Sequence, residues 1–154
     1  MKKIKKSLRA LKRFLFKNRD KKLTIKVWYL SMFYRFCILT LPKTKLEKMM
    51  GVRGEESKAE ETVQNLRIAY KIGADVHRVT RHTPWESKCL VRSMTCRKLL
   101  EEKGIGSTLF LGVGKDENGK MIAHSWLRCG DMWVTGGNGE GYAMVAKFAT
   151  YGEK

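Results

Sequence analysis

Between residues 2 and 16, Ile4, Leu8, Leu11 and Leu15 recur at spacings of four, three and four with lysines and arginines around them. That period predicts a basic amphipathic helix. From Leu23 to Leu41 the chain turns almost wholly apolar, predicting a second helix that stops at Pro42. Its apolar heart, Val27 to Leu41, contains Arg35 and falls short of the ~20 residues needed to cross a bilayer, so a buried or interfacial helix is expected. After a polar link at Gly51 to Gly54, a third helix is predicted from Glu55 to Val79, with Ala59, Val63, Leu66, Tyr70 and Gly73 toward the core.

A fourth helix is predicted from Pro84 to Lys103. Thr83 and Glu86 have capping-box spacing, Pro84 suits the first helical position, and Gly104 supplies the stop. The period then changes to two. Thr108 to Val113 and Met121 to Leu127 read as strands around a turn at Lys115 to Gly119, and Met132 to Thr135 as a third after Gly130-Asp131. The tail from Tyr142 to Tyr151 fits a short strand or a helix. Helices first and an antiparallel sheet afterwards make an α+β fold.

The 154 residues, 43% of them hydrophobic, suffice for one domain with its own core. Charge divides the chain. Residues 1–26 carry nine Lys and three Arg against one Asp, +11 of the total +17, and are read as a basic arm on a single domain at 27–154. Such an arm implies an acidic partner: an anionic membrane face, an acidic peptide or protein, or nucleic acid. The alternative is a solvated helix packed on its own domain. The lysine-rich start has neither the proportions nor the cleavage site of a secretory signal, so a cytoplasmic protein with reduced thiols is expected, with membrane association through the arm as an option.

Cys89, near the front of the fourth helix, and His124, thirty-five residues later on a strand, suggest a thiol enzyme. Unpaired N–H groups at a helix front favour the thiolate, the reactive form. The base of such a pair needs a third group to orient it. If Gly130-Asp131 is a two-residue turn, Cys129 pairs with Met132 and His124 lies opposite Gly137. Asp131 is then roughly 20 Å from His124, at ~3.3 Å per residue. Asp116 fails likewise, leaving Asn138 as the leading orienter, with Glu140 behind it. A zinc site fits poorly. Cys89 and Cys96 are about 10 Å apart along one helix, and His124 and Cys129 point to opposite faces of a strand, so no metal is expected. Cys37, Cys96 and Cys129 read as small buried hydrophobes, and His77 and His82 as surface or capping histidines.

The run Arg81-His82-Thr83-Pro84-Trp85-Glu86-Ser87-Lys88-Cys89-Leu90-Val91-Arg92-Ser93, then Gly104-Ile105, Leu111-Gly112-Val113-Gly114-Lys115 and Ala123-His124-Ser125-Trp126-Leu127, resembles the transglutaminase-like leader peptidases of lasso peptide biosynthesis, the B proteins in their stand-alone form. The resemblance covers about residues 55–138, and more loosely Trp28 to Pro42. It implies a papain-like or transglutaminase-like fold with Cys89 as nucleophile and His124 as base. The family's third member is usually an aspartate beyond the next strand, where this chain reads Gly136-Gly137-Asn138.

The resemblance further implies a cysteine peptidase, without cofactor, that cuts the leader from a ribosomally made precursor peptide. A separate ATP-dependent cyclase related to asparagine synthetases would then use the freed amine. Residues 1–54 offer no strand pair for a winged-helix leader-binding domain, so a separate small protein of that type is an expected partner, and nucleic acid is not. Trp85 and Ser87 are candidates for a second oxyanion donor and, with Trp126, for substrate contacts. Trp126 and Trp133 would otherwise be sheet-packing aromatics. The rival readings are an acyltransferase of transglutaminase type and a non-enzymatic basic scaffold.

Overall fold

The computed structural model describes residues 20–152. The helix expected at residues 2–16 lies outside them. In chain order the elements are α1 (Lys21–Thr40), α2 (Lys43–Lys48), β1 (Val52–Arg53), α3 (Val63–Thr80), α4 (Cys89–Glu101), β2 (Ser107–Lys115), β3 (Met121–Cys129), β4 (Met132–Thr135) and β5 (Ala143–Thr150). The five strands form one antiparallel sheet in the order β1-β5-β2-β3-β4, giving the expected α+β architecture.

Asp20 starts α1 by accepting the Leu23 N–H at 3.1 Å, and that bond, with Lys71 beside it, holds its carboxyl below the ordinary range. Lys21 to Lys26 are thus the first turns of a helix whose Thr24, Val27, Leu30, Tyr34 and Cys37 are buried. The boundary drawn at residue 26 falls inside α1. Burial of this face, with Ile72 and Val76 of α3 and Met94 and Leu100 of α4, against Leu109, Leu127 and Phe148 of the sheet makes the core. Each such side chain contributes roughly 1.5–3 kcal/mol when fully buried.

Two elements differ from expectation. Residues 55–62 are not helical: Ser57 is buried against the sheet, its N–H and hydroxyl both meeting Thr108 Oγ1 at 2.8 Å, and Arg128 reaches Glu56 and the Ser57 carbonyl. Polar partners on the sheet outcompete a local helix there, and α3 begins only where Thr62 caps the Asn65 N–H. Its core face is Ala69, Ile72, Gly73 and Val76, leaving Val63 and Tyr70 exposed, and Ala59 is exposed ahead of it. Gly73 does allow close approach, since a Cβ there would lie 2.5 Å from the Val134 carbonyl oxygen. The unassigned tail becomes β5, an interior strand between β1 and β2.

Candidate active site

Cys89 is the first residue of α4, nearer the helix front than the capping-box reading placed it. Residues 83–88 do not form a helical turn. The Thr83 hydroxyl, expected to cap, lies 3.1 Å from the Thr80 and Trp85 carbonyl oxygens and 3.0 Å from the Ser87 hydroxyl. Glu86, expected as its reciprocal partner, pairs with Arg35 at 2.9 Å and Lys88 at 2.6 Å. Lys88 is the N-cap in an extended conformation and supplies no side-chain cap. The first N–H groups of α4 are therefore not capped by a side chain of the turn before them, and they carry the positive end of the helix dipole.

The segment ahead of Cys89 is pinned to α1. Trp85 meets Trp28 edge-on at 4.6 Å and donates its indole N–H to Ser31 Oγ at 3.3 Å. Ser87 is buried against Thr83. The Trp85 indole N–H is thus engaged by Ser31 and the Ser87 hydroxyl by Thr83.

The placement of α4 on the sheet determines which part of β3 the thiol approaches. Ser93 Oγ lies 3.2 Å from Ser125 Oγ, and farther along α4 Arg97 donates to Thr150 Oγ1 at 3.0 Å. Thr150 pairs with Ser107, at the Cys129 end of β3, so α4 and β3 run in the same sense. One turn back from Ser93 is about 6 Å along the helix, close to two strand residues. By that count Cys89 comes level with Ala123 and His124 along the strand, while Ser125 is the side chain that turns toward α4 and His124, stacked with Trp126, leaves β3 on the other face. β4 pairs with β3 only from Leu127 to Cys129, so the half of β3 that carries His124 has β2 on one side and no strand on the other.

Across that open edge His124 Nε2 lies 2.7 Å from the Gly136 carbonyl oxygen. A carbonyl only accepts, so Nε2 carries the hydrogen, and in the neutral ring the free lone pair is then on Nδ1. Tyr142, ring centroid at 4.6 Å, and Trp126, at 6.0 Å, stack beside the imidazole and fix its plane. No hydrogen bond joins Cys89 to His124 among the described residues. Such contacts commonly tighten only around a substrate.

The hairpin register is corrected by one residue. Cys129 pairs with Met132 and Arg128 with Trp133 as expected, but Leu127 then pairs with Thr135, leaving Val134 as a bulge. Asn138 does not reach His124: it is exposed, and its Oδ1 accepts the Glu140 N–H at 3.0 Å. Glu140 and Asp131 are likewise exposed with no bond to His124, and Asp116 Oδ1 closes its own turn by accepting the Asn118 and Lys120 N–H groups. The partner that sequence reasoning missed is a backbone carbonyl, which has no side-chain signature. Its one trace is the doublet Gly136-Gly137: Gly136 has φ 82° and passes so close to β3 that a Cβ would lie 2.3 Å from the Ser125 carbonyl oxygen. Tyr142 was missed because the tail had no assigned structure.

Trp126 is buried and lines no open cleft. Gly112 and Gly139 make room for its ring, and Phe110 stacks on it at 5.8 Å. Trp133 meets Phe110 edge-on and stays half-exposed. Cys37, Cys96 and Cys129 are buried free thiols. Burial pushes all three up, Cys129 to about 11, with Glu61 adding to its rise. Among the described residues no group of three or more His, Cys, Asp or Glu is placed to hold a metal ion.

The fold thus sets a cysteine at the front of the helix that packs on an antiparallel sheet and a histidine on that sheet, the two residue types that thiol chemistry uses. Residues 41–150 match the transglutaminase-like superfamily model, and the chain belongs to that superfamily, whose members are commonly cysteine-dependent enzymes. No curated protein and no solved structure matched the chain.

Proposed function

We propose that the protein is a cysteine peptidase that cuts the leader from a ribosomally made precursor of lasso type. What supports the thiol chemistry is the bond between His124 and Gly136: with Nε2–H spent on that carbonyl, Nδ1 of the neutral ring is the nitrogen free to take a proton. The leader-peptidase assignment rests on the sequence resemblance around Cys89 and His124.

In the proposed reaction His124 Nδ1 takes the Cys89 thiol proton, and Sγ attacks the carbonyl carbon at the leader–core junction. The Cys89 backbone N–H donates to the oxyanion. As the C–N bond breaks, His124 returns the proton to the departing amine, freeing the core peptide and leaving the leader as a thioester. Water, deprotonated by the same nitrogen, then releases the leader carboxylate and restores the thiol. Gly136 replaces a third catalytic side chain. A winged-helix leader-binding protein and an asparagine-synthetase-like cyclase complete the proposed pathway.

The test is incubation of a synthetic precursor with the protein and a winged-helix partner, read by mass spectrometry, with a labelled primary amine present. Free core amine is the expected product. Label joined to the leader in place of hydrolysis assigns the acyltransferase reading. Neither product from wild type, or equal cleavage by Cys89→Ala, rejects thiol catalysis.

A further inference from the structure

The helix α1 has two apolar faces, and only one is used by the core. Opposite the buried row, Ile25, Trp28, Tyr29, Met32, Phe36 and Leu39 are 40–66% exposed. At 100° per residue they fall within an arc of about 100°, one continuous stripe along the helix. Exposed apolar side chains scattered singly need no explanation, but a continuous stripe marks a contact surface.

The charges around the stripe identify what it contacts. Lys21 and Lys22 are exposed at its leading end, and Lys43 and Lys45 are exposed beyond Pro42 at its far end. Residues 1–19 carry nine Lys and Arg and no Asp or Glu, and Asp20, the cap of α1, is the one acidic residue ahead of the helix. Trp28 and Tyr29 are of the type that settles at the boundary between headgroups and acyl chains. No described helix is long and apolar enough to cross a membrane, and α1 has its other face committed to the core. We propose that α1 lies in the plane of an anionic lipid surface, its stripe inserted among the acyl chains and the flanking lysines on the headgroups. Trp28 also packs on Trp85, so docking would set the front of α4 beside the bilayer. This inference does not depend on the peptidase reading, because its readout is binding alone.

The experiment is cosedimentation of the full chain with vesicles of phosphatidylcholine alone and of phosphatidylcholine with a quarter phosphatidylglycerol. Binding to the anionic vesicles is expected, at least tenfold stronger than to the neutral ones. It should weaken severalfold, without vanishing, between 0.1 and 0.5 M salt, where the Debye length shrinks from about 10 Å to about 4 Å. Tyr29→Ser, Phe36→Ser and Leu39→Ser together should weaken it at least tenfold with an unchanged melting curve. If that triple variant melts early, Phe36→Ser alone should still give a severalfold loss. Undiminished binding by folded variants overturns the proposal, as does equal binding to neutral vesicles. So does a wild-type dimer that the variants convert to monomer, which would assign the stripe to a protein interface.

Discussion

Cys89 and Cys96 stand two turns apart on one helix, yet their surroundings suit them to different work. Cys96 is wholly enclosed by the core, and loss of solvation pushes its thiol up and keeps it neutral. Cys89 is only half-buried, at an end of α4 that no side chain caps. Position on the helix and access to solvent separate a reactive candidate from a packing residue, since both have the same side chain. The contrast extends to the sheet, where Cys129 is buried as Cys96 is, while His124 on the same strand faces an edge that β4 leaves open.

The largest effect expected from that contrast is in catalysis. Cys89→Ser should reduce leader release by about a thousandfold or more, as removal of a covalent nucleophile does, with the thermal midpoint nearly unchanged. Cys96→Ser should do the reverse, since a hydroxyl placed in an apolar site costs roughly 1–3 kcal/mol and shifts the midpoint by about 3–10 °C. Comparable rate losses in two folded variants would remove the distinction. Iodoacetamide tests it without substrate: native protein should be alkylated at Cys89, with Cys37, Cys96 and Cys129 reacting only after unfolding in urea. Modification of a second thiol on the native timescale would show the core is open.

Next in size is a comparison inside the glycine doublet. Gly136 and Gly137 both have positive φ, at 82° and 73°, but a Cβ on Gly136 would strike the β3 backbone, whereas one on Gly137 meets nothing within 4 Å. Alanine at either position should cost about 1 kcal/mol of backbone strain. Only Gly136→Ala must also displace the carbonyl that holds His124, so its cleavage rate should fall roughly tenfold or more, with a stability loss larger than that of Gly137→Ala. Equal rates for the two variants would mean that the Gly136 carbonyl does not position the base.

Much of this was legible in the sequence because it depends on local periodicity. The apolar run of α1, the positive-φ stop at Gly104 and the hairpin from Lys115 to Gly119 all appear where the pattern placed them. What escaped depends on distant partners. Residues 55–62 look helical until Thr108 and Arg128 offer bonds from the sheet, and the Val134 bulge is shaped by Gly73 packing from α3. Cys89 and His124 could be selected from their neighbours in the chain. The group that orients His124 could not, because the partner is a main-chain carbonyl with no side-chain signature.

The smallest predicted effect concerns Asn138, the side chain next to the Gly137 that an unbulged hairpin sets opposite His124. It is exposed and spends its Oδ1 on the Glu140 N–H. Removing that exposed bond costs at most about 1 kcal/mol and leaves the Gly136 carbonyl where it is, so Asn138→Ala should change the cleavage rate by less than about twofold, since 1.36 kcal/mol in the barrier corresponds to tenfold in rate. A hundredfold loss in a folded Asn138→Ala variant would instead require this side chain to reach the imidazole when substrate is bound. The Gly136 bond would then describe a resting arrangement, and the same measurement on Gly136→Ala would separate the two roles.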